Sequence, residues 1–109
     1  IQYAYARANS ILRKVKATKG EFVINLQEEK ELLKQLELFK DIVAQQKPHI
    51  VANYSFELAK KFNEFYHKCP ILTQKNKDIK YTRLMLVKAT IQILKNSLNL
   101  LGIEAPVRM

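Results

Sequence analysis

NYSFELAKKFNEFYHKCPIL, residues 53–72, carries a helical apolar period that stops at Pro70. With Val51 just before it, the residues Tyr54, Leu58, Phe62 and Phe65 step by three or four and predict one buried stripe of a helix. Ala52, Phe56, Ala59, Asn63 and Tyr66 step the same way on a neighbouring face, so this helix is expected to be covered on most sides. Asn63, Tyr66 and His67 gather near its C-terminal end, where a buried face becomes exposed and a ring with a polar handle can meet a ligand. On the residues alone, the reading of Tyr66 and Asn63 as satisfied core residues is favoured, with the ligand-facing reading beside it.

Working outward, Pro48 suits a first helical turn and opens this central helix. Upstream, residues 28–39 predict an amphipathic helix with Leu32, Leu33, Leu36 and Phe39 inward and Glu28, Glu29 and Glu31 in its first turn. Asp41 is expected to cap a short helix over 42–46. Residues 18–27 hold Gly20 and the apolar trio Phe22-Val23-Ile24, which reads as a loop packing over the bundle or as a short strand. Residues 1–17 lack Gly and Pro and predict a helix with Ile1, Tyr5, Ala8, Leu12 and Val15 on one face. Tyr3, Arg7, Ser10 and Lys14 lie on another. Downstream, Asp78 is expected to cap a helix over 79–101, along which Leu84, Val87, Ile91, Leu94, Leu98 and Leu101 keep a regular spacing. Gly102 follows as the stop, and Pro106 blocks continuation.

The chain has 109 residues, enough for one domain with one core, and its two glycines and three prolines favour an all-α bundle of about four to five helices. Its net charge of +9 points to a polyanionic partner, nucleic acid ahead of membrane. Residues 60–95 hold nine basic and two acidic residues, so the positive field is concentrated there, while the acidic middle section should face away from nucleic acid. No apolar run approaches the ~20 residues of a membrane span. The lone Cys69 forms no internal disulfide, consistent with a cytoplasmic setting. The chain begins without Met inside a helical pattern, so a C-terminal piece of a longer protein is expected.

Enzymatic signatures are missing. Gly20 and Gly102 stand alone, with no phosphate-binding loop around either. His67, Cys69 and His49 are too few for a zinc site, and His67 with Cys69 lacks the orienting group and oxyanion device of a nucleophile pair. Catalytic and metal-binding residues are therefore expected to be none, with no cofactor held by this chain. What remains is a basic helical surface interleaved with candidate exposed rings, Tyr3, Tyr54, Tyr66 and Tyr81. Unpaired bases stack on such rings while Arg and Lys hold phosphates. A helical protein-interaction module would show nearly the same pattern.

Three blocks resemble the C-terminal, DALR-type anticodon-binding domain of arginyl-tRNA synthetase: QYAYAR at 2–7, LAKKFNEFYHKCPIL at 58–72 and RLMLVKATIQILKNSLNLLGIEAPVRM at 83–109. The last, with its terminal Arg-Met, is the most specific. Tyr5 stands where the family usually carries His, which removes a polar role from that position and leaves Tyr3 and Arg7 intact. Related domains of the glycyl β subunit or the cysteinyl enzyme are the neighbouring alternatives.

The resemblance implies an all-α module receiving the anticodon loop of arginine tRNA. It would be attached to a class I catalytic domain that uses ATP and Mg, in a cytoplasmic enzyme expected to be a monomer. The HIGH-like and KMSKS-like signatures of that catalytic domain are absent from these residues. It also implies that Tyr3, Arg7, Tyr66 and Met109 lie around the anticodon; Asn63 and His67 join them by helical proximity. Every arginine codon has G in the middle, so every arginine anticodon shares a middle cytosine. A splayed cytosine needs a stacking ring, for which Tyr66 is placed, and an acceptor for its amine, from Asn63 or a backbone carbonyl.

Overall fold

Proline lacks a backbone N–H, and the first turn of a helix is where that loss is harmless. In the computed structural model the central helix indeed starts at Pro48 and runs to Lys68, after an extended Lys47. Its last turn closes with the Cys69 N–H donating to the Phe65 carbonyl at 2.8 Å before Pro70 turns the chain away. The structure describes residues 2–14 and 20–102, and these form an all-α bundle. Five helices follow one another: α1 (Gln2–Lys14), α2 (Gln27–Glu37), α3 (Phe39–Ala44), α4 (Pro48–Lys68) and α5 (Lys77–Leu100).

Helix α1 packs mainly on α5, α2 packs on α4 and α5, and α3 lies against α4, where the Phe39 and Tyr54 rings meet at 5.8 Å between centroids. The predicted stripe Val51, Tyr54, Leu58, Phe62 and Phe65 is buried, as are Leu84, Val87, Leu94 and Leu98 of α5. Fully burying side chains of this size stabilises the fold by roughly 1.5–3 kcal/mol each before entropy is counted. Tyr5 sits in the same core, so an apolar ring occupies the position where the family usually carries His.

The neighbouring face of α4 is less covered than its period suggests: Ala59 is buried, but Phe56 is 66% exposed and Tyr66 39%. An apolar period thus marks a face without supplying its cover. Tyr54, which the sequence offers both on the buried stripe and among the candidate exposed rings, is buried, and its hydroxyl donates to the Gln35 carbonyl at 2.5 Å. Burial without a nearby cation pushes that phenol well above its ordinary pKa.

Several boundaries shift for local reasons. Asp78 does not cap α5. Asn76 does, its Oδ1 accepting from the Asp78 and Ile79 N–H groups at 3.0 and 3.1 Å. Asp78 reaches instead to the 20–26 loop and accepts from the Glu21 N–H at 2.9 Å. Asp41 lies within α3, whose N-cap Leu38 offers no side-chain cap, because the chain passes almost directly from α2 into α3. Residues 20–26 form a loop with no strand. Its backbone is pinned on α5 by the Val23 N–H donating to Thr82 Oγ1 at 2.6 Å, yet Phe22, Val23 and Ile24 point outward, 37–49% exposed. A larger residue at Gly20 would force a local shift, since an added Cβ would lie 2.9 Å from Asp78 Oδ1 and 3.0 Å from Tyr81 Cβ. At the other end Gly102 ends α5 in the left-handed region, φ +74°.

A buried ion pair ties the elements together. Arg83 Nε donates to Glu29 Oε2 at 2.5 Å, and both side chains are almost wholly out of water. Arg83 Nη1 also donates to the Pro70 carbonyl at 2.6 Å. Glu29 Oε1 accepts from the Asn25 and Leu26 N–H groups at 2.6 and 3.2 Å, satisfying orphan donors at the start of α2. Arg83 therefore adds no free charge to the positive field in which it was counted.

Candidate nucleic-acid interface

Residues Tyr3, Arg7, Ser10 and Lys14 repeat by three and four, so α1 presents them along one stripe. Where that stripe passes the end of α4, the Arg7 guanidinium carbon lies 4.4 Å from the Tyr3 ring centroid and 4.3 Å from that of Tyr66. Each such contact is worth about 0.5–2 kcal/mol, depending on its exposure. Arg7 Nη1 donates to Asn63 Oδ1 at 3.1 Å, and Arg7 Nη2 donates to the Tyr3 hydroxyl. The cation is thus oriented by two rings and an amide drawn from two helices.

Tyr66 is also set edge-on to His67, with centroids 5.5 Å apart, and tilted against Phe62 at 6.5 Å. Phe62 is core, so one edge of Tyr66 is anchored while much of its ring stays in water. Five sequence-predicted residues, Tyr3, Arg7, Asn63, Tyr66 and His67, are therefore brought together. Met109 lies outside the described residues. The Asn63 carbonyl oxygen accepts from Arg7, which uses one of its two lone pairs.

A groove of about 590 Å³ opens beside this cluster, walled by the α1 stripe, by Tyr66 and His67, and by Pro70 to Thr73 of the connector. Lys14 lines it, as do Ser10 and the half-exposed Leu72. Ser10 and Lys14 were legible as partners of Tyr3 and Arg7 through their helical spacing. The connector wall had no sequence signal, because only the turn after Pro70 folds it back. No α2 or α3 residue lines the groove, and exposed Lys68, Lys75 and Lys77 add positive charge nearby in the chain. The arrangement suits an unpaired, negatively charged strand: rings for bases, cations for phosphates.

Cys69 borders the groove but is buried, and burial pushes its thiol up to about 11, which leaves almost no thiolate at neutral pH. Among the described residues no group of three His, Cys, Asp or Glu side chains is arranged to hold a metal ion. None of the described helices is long and apolar enough to cross a membrane.

The family model for the DALR anticodon binding domain matches residues 1–109. The chain belongs to this family. The DALR domain described here has the all-α bundle that its sequence resemblance implied. Its curated relatives include the arginine–tRNA ligase of Methanocaldococcus jannaschii, 50% identical over all of this chain and 21% of that protein. The arginine–tRNA ligase of Pyrococcus abyssi is 46% identical over all of this chain and 19% of that protein. Among solved structures, the arginyl-tRNA synthetase of Thermus thermophilus superposes with a TM-score of 0.91 at 33% identity, covering 99% of this chain and 20% of the other. The DALR domain thus spans about a fifth of the length of the relatives it matches.

Proposed function

We propose that this domain grips the anticodon loop of arginine tRNA in the groove between α1 and the end of α4. It would do so on behalf of an arginine–tRNA ligase whose ATP- and Mg-dependent catalytic domain lies in the same parent chain. The observation that carries this reading is the Arg7 guanidinium held over two tyrosine rings at the mouth of a basic groove. Tyr66 stacks on a splayed base, and the shared middle cytosine of arginine anticodons is the base best suited to be read. Asn63 Oδ1 accepts from Arg7 and keeps a second lone pair, so either Asn63 or a backbone carbonyl of the groove serves as acceptor for the cytosine amine. The kinship with arginine–tRNA ligases favours arginine tRNA over the tRNAs of glycine or cysteine. On this reading the parent enzyme works as a cytoplasmic monomer.

The test is a tRNA titration of this chain at rising salt. Arginine tRNA should bind, with a log–log slope of roughly −0.7 per loop phosphate neutralised, and more tightly than glycine or cysteine tRNA. Arg7→Ala should weaken binding without unfolding the domain, because Arg7 is only half-buried and lines the groove, although losing its ring contacts lowers the melting midpoint somewhat. Equal binding of all three tRNAs would remove the assignment to arginine. A large fall in melting midpoint with intact binding would make Arg7 a structural residue.

A further inference from the structure

A second depression, of about 550 Å³, lies on the outer face of α4, lined by Phe56, Ala59, Lys60, Asn63, Glu64 and His67. Phe56, Lys60, Asn63 and His67 are spaced by four, three and four, so they form one stripe along the helix. Phe56 is the most exposed large apolar residue among those described, at 66%, and Lys60 beside it is exposed. The stripe runs into the groove described above: His67 lines both depressions, and Asn63 holds Arg7 between them.

We infer that this stripe is a second nucleotide subsite, in which Phe56 stacks on an unpaired base and Lys60 holds a phosphate of the same strand that Tyr66 engages. The inference rests on the reading of the groove as a tRNA site. Three features select an unpaired polynucleotide rather than a protein segment as the occupant. The surface continues from the proposed interface. A cation flanks the ring at one helical turn. The domain as a whole carries +9. Phe56 and Tyr66 are ten residues apart, about 15 Å along a helix axis, a span that about four stacked nucleotides cover at ~3.4 Å each. One loop can therefore reach both rings, with different bases on each. Glu64, in the same depression, is placed to accept from an exocyclic amine and so biases the subsite toward amine-bearing base edges.

The test uses the intact 109-residue chain and an arginine tRNA transcript. Phe56→Ala should weaken binding about five- to a hundredfold, with no loss of melting midpoint, since the ring is mostly in water. Phe56→Tyr should bind like the unaltered chain, and Phe56→Leu should behave like Ala, because the π-face rather than the apolar area is used. The loss should persist at high salt, whereas Lys60→Ala should flatten the log–log salt slope by about 0.7. Undiminished binding by Phe56→Ala, alongside impaired binding by Tyr66→Ala, overturns the second subsite and leaves the groove standing. Full affinity in Phe56→Leu overturns stacking. Impairment in Phe56→Ala with none in Tyr66→Ala removes the groove reading and keeps the strand on the outer stripe. A chain that binds no tRNA removes both.

Discussion

At the scale of single residues, Tyr54 and Tyr66 show how one side-chain type takes opposite parts. They lie twelve residues apart on the same helix, and each keeps a helical apolar spacing. Tyr54 is enclosed by α2 and α3 with its hydroxyl on a carbonyl, whereas Tyr66 projects past the end of the bundle into the Arg7 cluster. Tyr66→Ala is therefore expected to lower tRNA affinity roughly tenfold to a hundredfold, and Tyr66→Phe far less, because stacking uses the ring face. Thermal melts of both variants should stay near the parent. A large stability loss in Tyr66→Ala with unchanged affinity of the folded fraction would make this ring packing. Arg83 is the opposite case: a cation that reads as surface charge in sequence is buried against Glu29. Removing one partner strands a buried charge at a cost of about 3–5 kcal/mol, so Glu29→Leu or Arg83→Met alone should lower the denaturation midpoint sharply. The double variant should recover much of that loss. Additive losses in the double-mutant cycle would show that the pair is not coupled.

At the scale of elements, the helices begin and end where local chemistry allows, but the choice among neighbouring caps is made by what else those groups touch. Asn76 and Asp78 are both good capping residues two positions apart. Asn76 takes the cap, and Asp78 holds the backbone of the 20–26 loop. Asn76→Ala should cost about 1 kcal/mol of stability, the ordinary worth of an N-cap, seen as a shift in denaturation midpoint without a change in slope. Asp78→Ala should speed amide exchange at Glu21 more than it shifts the midpoint, since it releases a loop rather than a helix. If Asp78→Ala gives the larger midpoint shift and leaves Glu21 protected, the two roles are reversed. The cap geometry also explains the helix pair α2 and α3. Leu38 serves both as C-cap of the first and N-cap of the second, so no polar cap is needed between them.

At the scale of the whole molecule, burial of Cys69 makes it a reporter on the fold. Its thiol is raised from the ordinary 9.0 to about 11, chiefly by desolvation, with the Glu29 carboxylate adding to the rise and the nearby Arg83 opposing it. A raised acid binds its proton more tightly in the folded state. This contribution to stability is therefore fully present below pH 9 and falls away as pH rises toward 11. At pH 8 a thiol reagent should label Cys69 only as fast as the domain opens, and denaturant should speed labelling in step with unfolding. Rapid labelling under native conditions would contradict the burial. Stability measured between pH 9 and 11 should decline with a slope shared by Cys69→Ala only in part, because Tyr54 is raised as well.

Much of this architecture is a property of the sequence alone. The three-four spacing of Val51 to Phe65 and of Leu84 to Leu98, the proline at 48 and the glycine at 102 set α4 and α5, because helix geometry repeats every 3.6 residues whatever lies nearby. The Tyr3–Arg7–Ser10–Lys14 stripe was legible for the same reason. Tertiary structure alone decided which faces are covered. It buried Tyr54, left Phe56 and the Phe22–Ile24 trio in water, matched Arg83 to Glu29 across fifty-four positions, and laid Asn63 against Arg7 across fifty-six. A period specifies that side chains share a face. Only the packing of helices distant in the chain supplies what that face meets, and a buried charge or an exposed ring is defined by that neighbour.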